Sequence, residues 1–322
     1  MAARAALGLV LTVGMGLGWG LAGAAETAPA NAALAALLAD DPPFRAQRLR
    51  LVDVPAPAGP AVSLFNGHDL DVWDAWLGYP DPARTYLAQP GQTPIGADPA
   101  AIAQIVHVVT EEGEPAIFIT GQIWGGIVNR GDHANYHLRL EYKWGRARYA
   151  PRLALPPNNG LLYHSHGAPG AVYGTWMAAA EFEIMQGSVG MIVPVGPDVT
   201  ATTEIGRDPT LIDPQRRYMR GGRAVVVTPP AWNVEAASNA EKPAGQWNVL
   251  DLYVLGDQAV HVVNGVPVMV VRDLRMREGG AWVPLTHGRI QLQSEGAETY
   301  FRRITLEPIT RLPGVVLEGE VD

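Results

Sequence analysis

Glu181 and Glu183 stand two positions apart in Ala180–Met185, where they alternate with the apolar Phe182 and Ile184. Successive side chains of an extended strand point to opposite faces, so both carboxyls share one face and the apolar pair takes the other. The same alternation in Gly160–His166 puts Leu162, His164 and His166 on one side and Leu161 and Tyr163 on the opposite one. In Gly288–Glu295, Ile290 and Leu292 point inward while Arg289, Gln291, Gln293 and Glu295 point away. Carboxyls, imidazoles and amides on one sheet face can move protons or bind hydroxyl-rich molecules. His164 is the candidate base, since an imidazole titrates near neutral pH. Glu181 is the candidate for orienting that imidazole or acting as the acid, and Glu183 is the second acid. A polar strand face exposed to water is the bland alternative for both glutamates.

These residues need strands to hold them, and the rest of the chain reads as strands. Short alternating runs at Ile102–Val109, Ala116–Thr120, Tyr136–Trp144, Gly160–His166 and Ala180–Met185 are separated by Gly and Pro. Further runs follow at Trp247–Leu255, Ala259–Asn264, Pro267–Val271, Gly288–Gln293 and Thr299–Glu307, with Asn264-Gly265 as a hairpin turn between two of them. No long segment keeps a 3.6-residue period, although Asn31–Leu38 suits a short helix. The fold expected is all-β, a two-sheet β-sandwich of jelly-roll type. The Pro-rich stretches Gly78–Pro99 and Pro194–Pro243 read as long loops of the kind that close over sites. His133 and His137 read as surface residues. His68, with Asp69, Asp71 and Asp74, suits a turn better than a calcium loop, because the spacing departs from that of an EF-hand.

Length and composition narrow the options further. The 322 residues include 36 Gly and 27 Pro, which favours turn-rich β architecture over a helical bundle. A net charge of −8 gives the chain no electrostatic claim on nucleic acid or an anionic membrane. Arg4, the apolar run Ala5–Leu21 and the small residues Ala22-Gly23-Ala24 make residues 1–24 an expected signal peptide, with a retained anchor as the alternative. That reading implies a periplasmic or secreted protein with no membrane attachment after cleavage. Cysteine is absent, so disulfides and thiolate metal sites are excluded. Residues 25–61 read as an Ala/Pro-rich arm or linker, 62–310 as the folded domain and 311–322 as a tail. The chain lacks a phosphate-binding glycine loop, a Gly-x-Ser-x-Gly elbow and a His-Glu-x-x-His helix.

Several blocks in order carry a resemblance. They are Ser63–Leu70 with Trp73, Asn135–Trp144, Gly160–Ser165, Trp176-Met177, Glu181-Phe182-Glu183, Gln246–Gly265, Gly288–Gly296 and Tyr300–Ile304. Together they resemble the 3-keto-disaccharide hydrolase domain family, of concanavalin A-like lectin and glucanase fold, over roughly Val62 to Ile309. The resemblance implies a carbohydrate substrate: a glycoside already oxidised at C3, cleaved by removal of the acidified C2 proton and elimination at C1. His166, His261, Gln293, Glu295 and Arg302 become the substrate-binding candidates. Arg302, or a divalent metal held by His164, Glu181 and Glu295, is the candidate stabiliser of the enolate.

The chain also departs from the family. Glu183 stands where Gln is frequent, and Gln186 and Met191 replace an acidic pair. Two competitors therefore stay open, a non-catalytic carbohydrate-binding module and a glycosidase using two carboxylates on unoxidised sugar. The latter is weakened by spacing, since same-face neighbours on one strand lie roughly 6.5–7 Å apart and project in parallel, against about 5–5.5 Å across the bond for retaining chemistry.

Overall fold

The structure, a computed structural model, describes residues 27–87, 91–212 and 214–319. The expected leader, residues 1–24, lies outside them. Among the described residues the strands form a six-stranded and a twelve-stranded antiparallel sheet, with a separate two-stranded pair. The two large sheets pack face to face as a β-sandwich. Leu161, Tyr163, Phe182, Ile184, Ile290 and Leu292 of the smaller sheet interdigitate with Leu138, Leu140, Leu250, Leu252, Val262 and Phe301 of the larger, and all are buried. The alternation expected for Phe182, Ile184, Ile290, Leu292, Leu161 and Tyr163 therefore holds.

The smaller sheet positions the site. Its strands lie side by side in the order Ile192–Val195, Ala178–Met185, Asn158–His166, Arg289–Ser294, Gly125–Asn129 and Trp73–Leu77. Register aligns Val193 with Glu181, Glu181 with Leu162, and Leu162 with Gln291. These residues therefore share the face turned away from the sandwich core. That outer face is not bare. Trp124, Leu162, Val172, Trp176, Ala179, Met191, Val193 and Val195 form a second buried apolar cluster on it.

Three expectations about local structure change. The front of Ile102–Val109 is helical: Pro99–Ile105 begins with Pro at its first position and with Asp98 accepting hydrogen bonds from the amides of Ala100 and Ala101. The strand starts only at Val106. The Pro194–Pro243 stretch is not a long loop, since it carries Val199–Arg207, Arg216–Tyr218 and Arg223–Val227 on the edge of the larger sheet. Its prolines punctuate short edge strands, where a missing N–H is tolerated. In the Gly78–Pro99 stretch, Pro82–Arg84 forms a 3-10 turn capped by Asp81 and delivers Tyr86 to the outer face of the smaller sheet.

The arm ahead of the domain is docked. Helix Thr27–Leu38 leads to Asp41, whose buried carboxylate pairs with Arg216 at 2.7 Å and also with Arg223. Strand Leu49–Val52 pairs with Gly314–Leu317, so the two ends of the described chain meet in one ribbon. Asn264 and Gly265, both at positive φ, close the expected hairpin between Gln258–Val263 and Val266–Glu278. In the His68 turn, Asn66 Oδ1 accepts from the amides of His68 and Asp69, and Asp69 Oδ1 accepts from the amide of Asp71. Among the described residues, no helix is long and apolar enough to cross a membrane.

Candidate functional site

A cavity of about 330 Å³ opens on the outer face of the smaller sheet. Its floor is Glu181, Gln293 and Glu295, each at most 3% exposed. Tyr86, Tyr173 and Trp176 line it on the side towards Gly125–Asn129, where the Trp176 indole N–H donates to the carbonyl of Gly125. Val193 to Pro197, Thr228, Pro229 and Trp232 line it on the side of the Ile192–Val195 strand. Tyr86 is the hub of the aromatic wall, with ring centroids 5.2 Å from Tyr173, 5.7 Å from Trp124 and 6.1 Å from Trp176.

Space for the floor carboxyl is made by a missing side chain. A Cβ on Gly160 would lie 1.9 Å from Glu181 Oε1 and 2.6 Å from Gln293 Oε1. Gly160 therefore lets both head groups meet above the sheet. Glu183, two strand positions on, is 1% exposed and sits on the same face beside Met191, whose carbonyl accepts from its amide. Arg152 lies 3.5 Å from Glu295 and is itself buried. Glu181 Oε1, Gln293 Oε1 and Glu295 Oε1 make no hydrogen bond within the protein, nor does either carboxyl oxygen of Glu183. Of this set, Glu181, Gln293 and Glu295 border the cavity, and Glu183 lies beneath, next to Asn158 and Glu181.

Three carboxyls around one cationic group do not all ionise readily. Burial holds Glu181 well above the usual carboxylate range, and the neighbouring Glu183 and Glu295 add to it. Glu183 is pushed up to about 8, first by burial and then by Glu295, with Arg152 and Asn158 opposing. Glu295 is also raised by burial, and Arg152 pulls it back. The Tyr86 phenol stays protonated, raised by burial and by the charge of Glu295. This arrangement stores protons at neutral pH beside an apolar wall, the setting in which carboxyls serve as acids and bases.

Four of the eight candidates read from the sequence, Glu181, Glu183, Gln293 and Glu295, meet at this site, and the other four lie elsewhere. His164 does not share the face of Leu162. Its φ of +53° and a register break between Tyr163 and His166 form a bulge that turns the ring into the core. There its Nε2 donates to the carbonyl of Gly256 at 3.1 Å, beside Tyr136 and Tyr163. Gly288 accommodates the bulge, since a Cβ there would lie 2.5 Å from the His164 backbone. Burial lowers the His164 pKa to about 4, so the ring is neutral. His166 Nδ1 donates to the carbonyl of His164 and does not line the cavity. His261 belongs to the inter-sheet layer, stacked on Phe182 at 4.4 Å, with Nδ1 donating to Gly190 and Nε2 accepting from the Tyr163 hydroxyl. Arg302 faces outward from the larger sheet, where it pairs with Glu141 at 2.7 Å and stacks on Trp247.

The metal ligands considered from the sequence consequently do not converge, because His164 points into the core while Glu181 and Glu295 face the cavity. Among the described residues, no three or more His, Asp or Glu side chains are arranged to hold a metal ion. Sequence reasoning missed Tyr86, Arg152 and Gly160. Tyr86 and Arg152 sit in turns that alternation cannot place, and the only signal for Gly160 was a glycine opening a strand of large residues.

Comparison with known proteins places this geometry in context. The family described as the 3-keto-alpha-glucoside-1,2-lyase-like domain matches residues 60–307. No curated protein matches the chain. Among solved structures, a candidate glycosyl hydrolase from Parabacteroides distasonis is 16% identical with a TM-score of 0.44, covering 78% of this chain and 94% of that one. A Bacillus subtilis protein of unknown function with a galectin-like fold is 10% identical with a TM-score of 0.42, covering 80% and 99%. The carbohydrate-binding module CBM66 from Bacillus subtilis is 10% identical with a TM-score of 0.35, covering 63% and 91%.

Proposed function

This chain belongs to the family of 3-keto-alpha-glucoside-1,2-lyase-like domains, and from that premise we propose that its cavity cleaves 3-keto-glycosides by elimination across C2 and C1. The observation that carries the reading is the pair Glu181 and Glu295 at the floor of an aromatic-walled cavity, with Glu183 buried beside them and all three carboxyls raised in pKa.

A ketone at C3 acidifies the proton on C2. Glu181, the cavity-facing member of the carboxyl pair, takes that proton, and the C–H electrons become the enolate of C2 and C3. A carboxylate whose pKa is raised towards the working pH is a stronger base than an ordinary one. The Tyr86 hydroxyl and the Gln293 amide N–H donate to the enolate oxygen as its charge grows. The enolate then re-forms the ketone, a C1=C2 double bond forms and the C1–O bond breaks. Protonated Glu295 supplies the proton that the departing oxygen takes. Water adding across C1=C2, with OH to C1 and H to C2, gives the free 3-keto sugar. Arg152 balances the charge left on Glu295.

Product release from a chromogenic 3-keto-glucoside, run beside the unoxidised glucoside with and without a chelator, tests the reading. Release from the keto sugar alone, lost in Glu181→Gln, is the expected result. Equal release from the unoxidised glucoside would replace elimination with ordinary glycoside hydrolysis. Silence on both would leave a non-catalytic carbohydrate-binding site, a reading that the Tyr86, Trp176 and Trp232 lining favours.

A further inference from the structure

We propose that the cavity selects glycosides whose leaving group is an aromatic alcohol over those whose leaving group is a second sugar. The inference rests on the elimination reading above and adds the substrate class to it. Polarity in the cavity is layered by depth. The hydrogen-bonding groups lie at the bottom, where Glu181, Gln293 and Glu295 are buried, Glu181 and Gln293 each with an oxygen that makes no hydrogen bond and Glu295 beside Arg152. Nearer the mouth the surface changes character. Val193 and Val195 form the wall beside Glu181, and Pro197, Pro229 and Trp232 continue it outward, with Pro197 and Pro229 exposed. Valine and proline side chains neither donate nor accept hydrogen bonds, and proline lacks even the backbone N–H. Tyr173, 37% exposed, borders the same mouth and packs edge-on against Tyr86.

The floor fits the oxidised sugar, because its carboxyls and amide match hydroxyls and the C3 oxygen and its base must reach C2. With the sugar seated there, the C1 substituent extends along the Val193, Pro197, Pro229 and Trp232 surface. A leaving sugar would bring a hydroxyl on nearly every carbon against a wall whose side chains offer only the Thr228 hydroxyl and the Trp232 indole N–H as partners, and desolvating the hydroxyls left unpaired opposes binding. A flat aromatic ring loses nothing there and gains apolar contact and ring packing on Trp232. The volume of about 330 Å³ lies at the small end of ligand pockets and suits one sugar ring plus one compact apolar group.

The test compares 3-keto benzyl glucosides of both anomers with 3-keto disaccharides. Neither leaving group is a phenol, since in each the departing oxygen is bonded to an sp3 carbon, so a difference in kcat/KM reports the subsite more than leaving-group acidity. The benzyl substrate is expected to be preferred on the order of tenfold, as for small increments of apolar contact in other pockets. Trp232→Ala and the near-isosteric Val193→Thr should each move the ratio towards one, with unchanged circular dichroism. Equal use of both substrates, or preference for the disaccharide, would overturn the proposal. If neither turns over, the elimination reading fails on its own. Calorimetric binding of unoxidised benzyl glucosides and disaccharides then decides the subsite: at least tenfold tighter benzyl binding, lost in Trp232→Ala, upholds it, and equal binding ends it.

Discussion

Glu183→Gln should make the protein more stable, and more so as the pH rises. Glu183 is 1% exposed and holds its proton up to about pH 8 in the folded chain, against an ordinary 4.5 once unfolded. Between those values the folded state binds the proton that the unfolded state has released, so stability falls as pH rises through this window and levels off above it. At about 1.4 kcal/mol per pH unit, the cost reaches about 3 kcal/mol by pH 7. Glutamine keeps the shape, carries no charge in either state and removes that slope. It also takes a like charge away from Glu181, whose own pKa is raised partly by Glu183. Thermal melts of the wild type and Glu183→Gln at pH 5 and pH 8 provide the assay. The two should melt close together at pH 5, and the variant should melt higher by roughly 6 °C or more at pH 8. A wild type whose melting temperature stays flat from pH 5 to 8, or a variant no more stable at pH 8, would refute the claim that the cluster is held protonated by burial.

The same carboxyls should set the pH dependence of turnover. The base must be deprotonated and burial holds Glu181 well above the usual carboxylate range, so kcat/KM should still be rising with pH beyond that range, and Glu183→Gln should move that limb to lower pH; an unmoved limb separates Glu183 from the titration. Gly160→Ala puts a methyl 1.9 Å from Glu181 Oε1 and 2.6 Å from Gln293 Oε1, so turnover should drop on the order of a hundredfold with modest change in melting temperature; wild-type kinetics would mean that the two head groups can move aside freely. His164→Ala removes the donor to Gly256 and leaves a gap between the sheets, so it should cost about 2–4 kcal/mol of stability. Turnover by the folded fraction should stay within a few-fold; a thousandfold loss with an unchanged melt would return His164 to the chemistry.

Alternation alone made much of this protein legible in its sequence. Period-two runs with Gly and Pro between them identified many of the strands, though not Trp73–Leu77, Gly125–Asn129 or the edge strands between Val199 and Val227. Phe182 against Glu181 and Glu183, and Leu292 against Gln293, identified which side of each strand faces the core. Two strand segments therefore placed Glu181, Glu183, Gln293 and Glu295 on one face, where the structure also has them, because side-chain direction in an unbroken strand is a local property. The misplaced residues all depended on something non-local. His164 follows a bulge that needs Gly288 on the neighbouring strand to make room, and no spacing within Gly160–His166 encodes that partner. His261 and Arg302 belong to the larger sheet, so strand pairing decided which layer they enter. Tyr86, Arg152 and Trp232 reach the carboxyls or the cavity wall from turns and loops whose paths are set by packing. The sequence by itself determined the β-sandwich and the acidic face. Only the tertiary structure decided that this face is a cavity, which proton carriers surround it, and that the His164 and His261 imidazoles lie in the core, because burial and long-range contact exist only once the sheets have assembled.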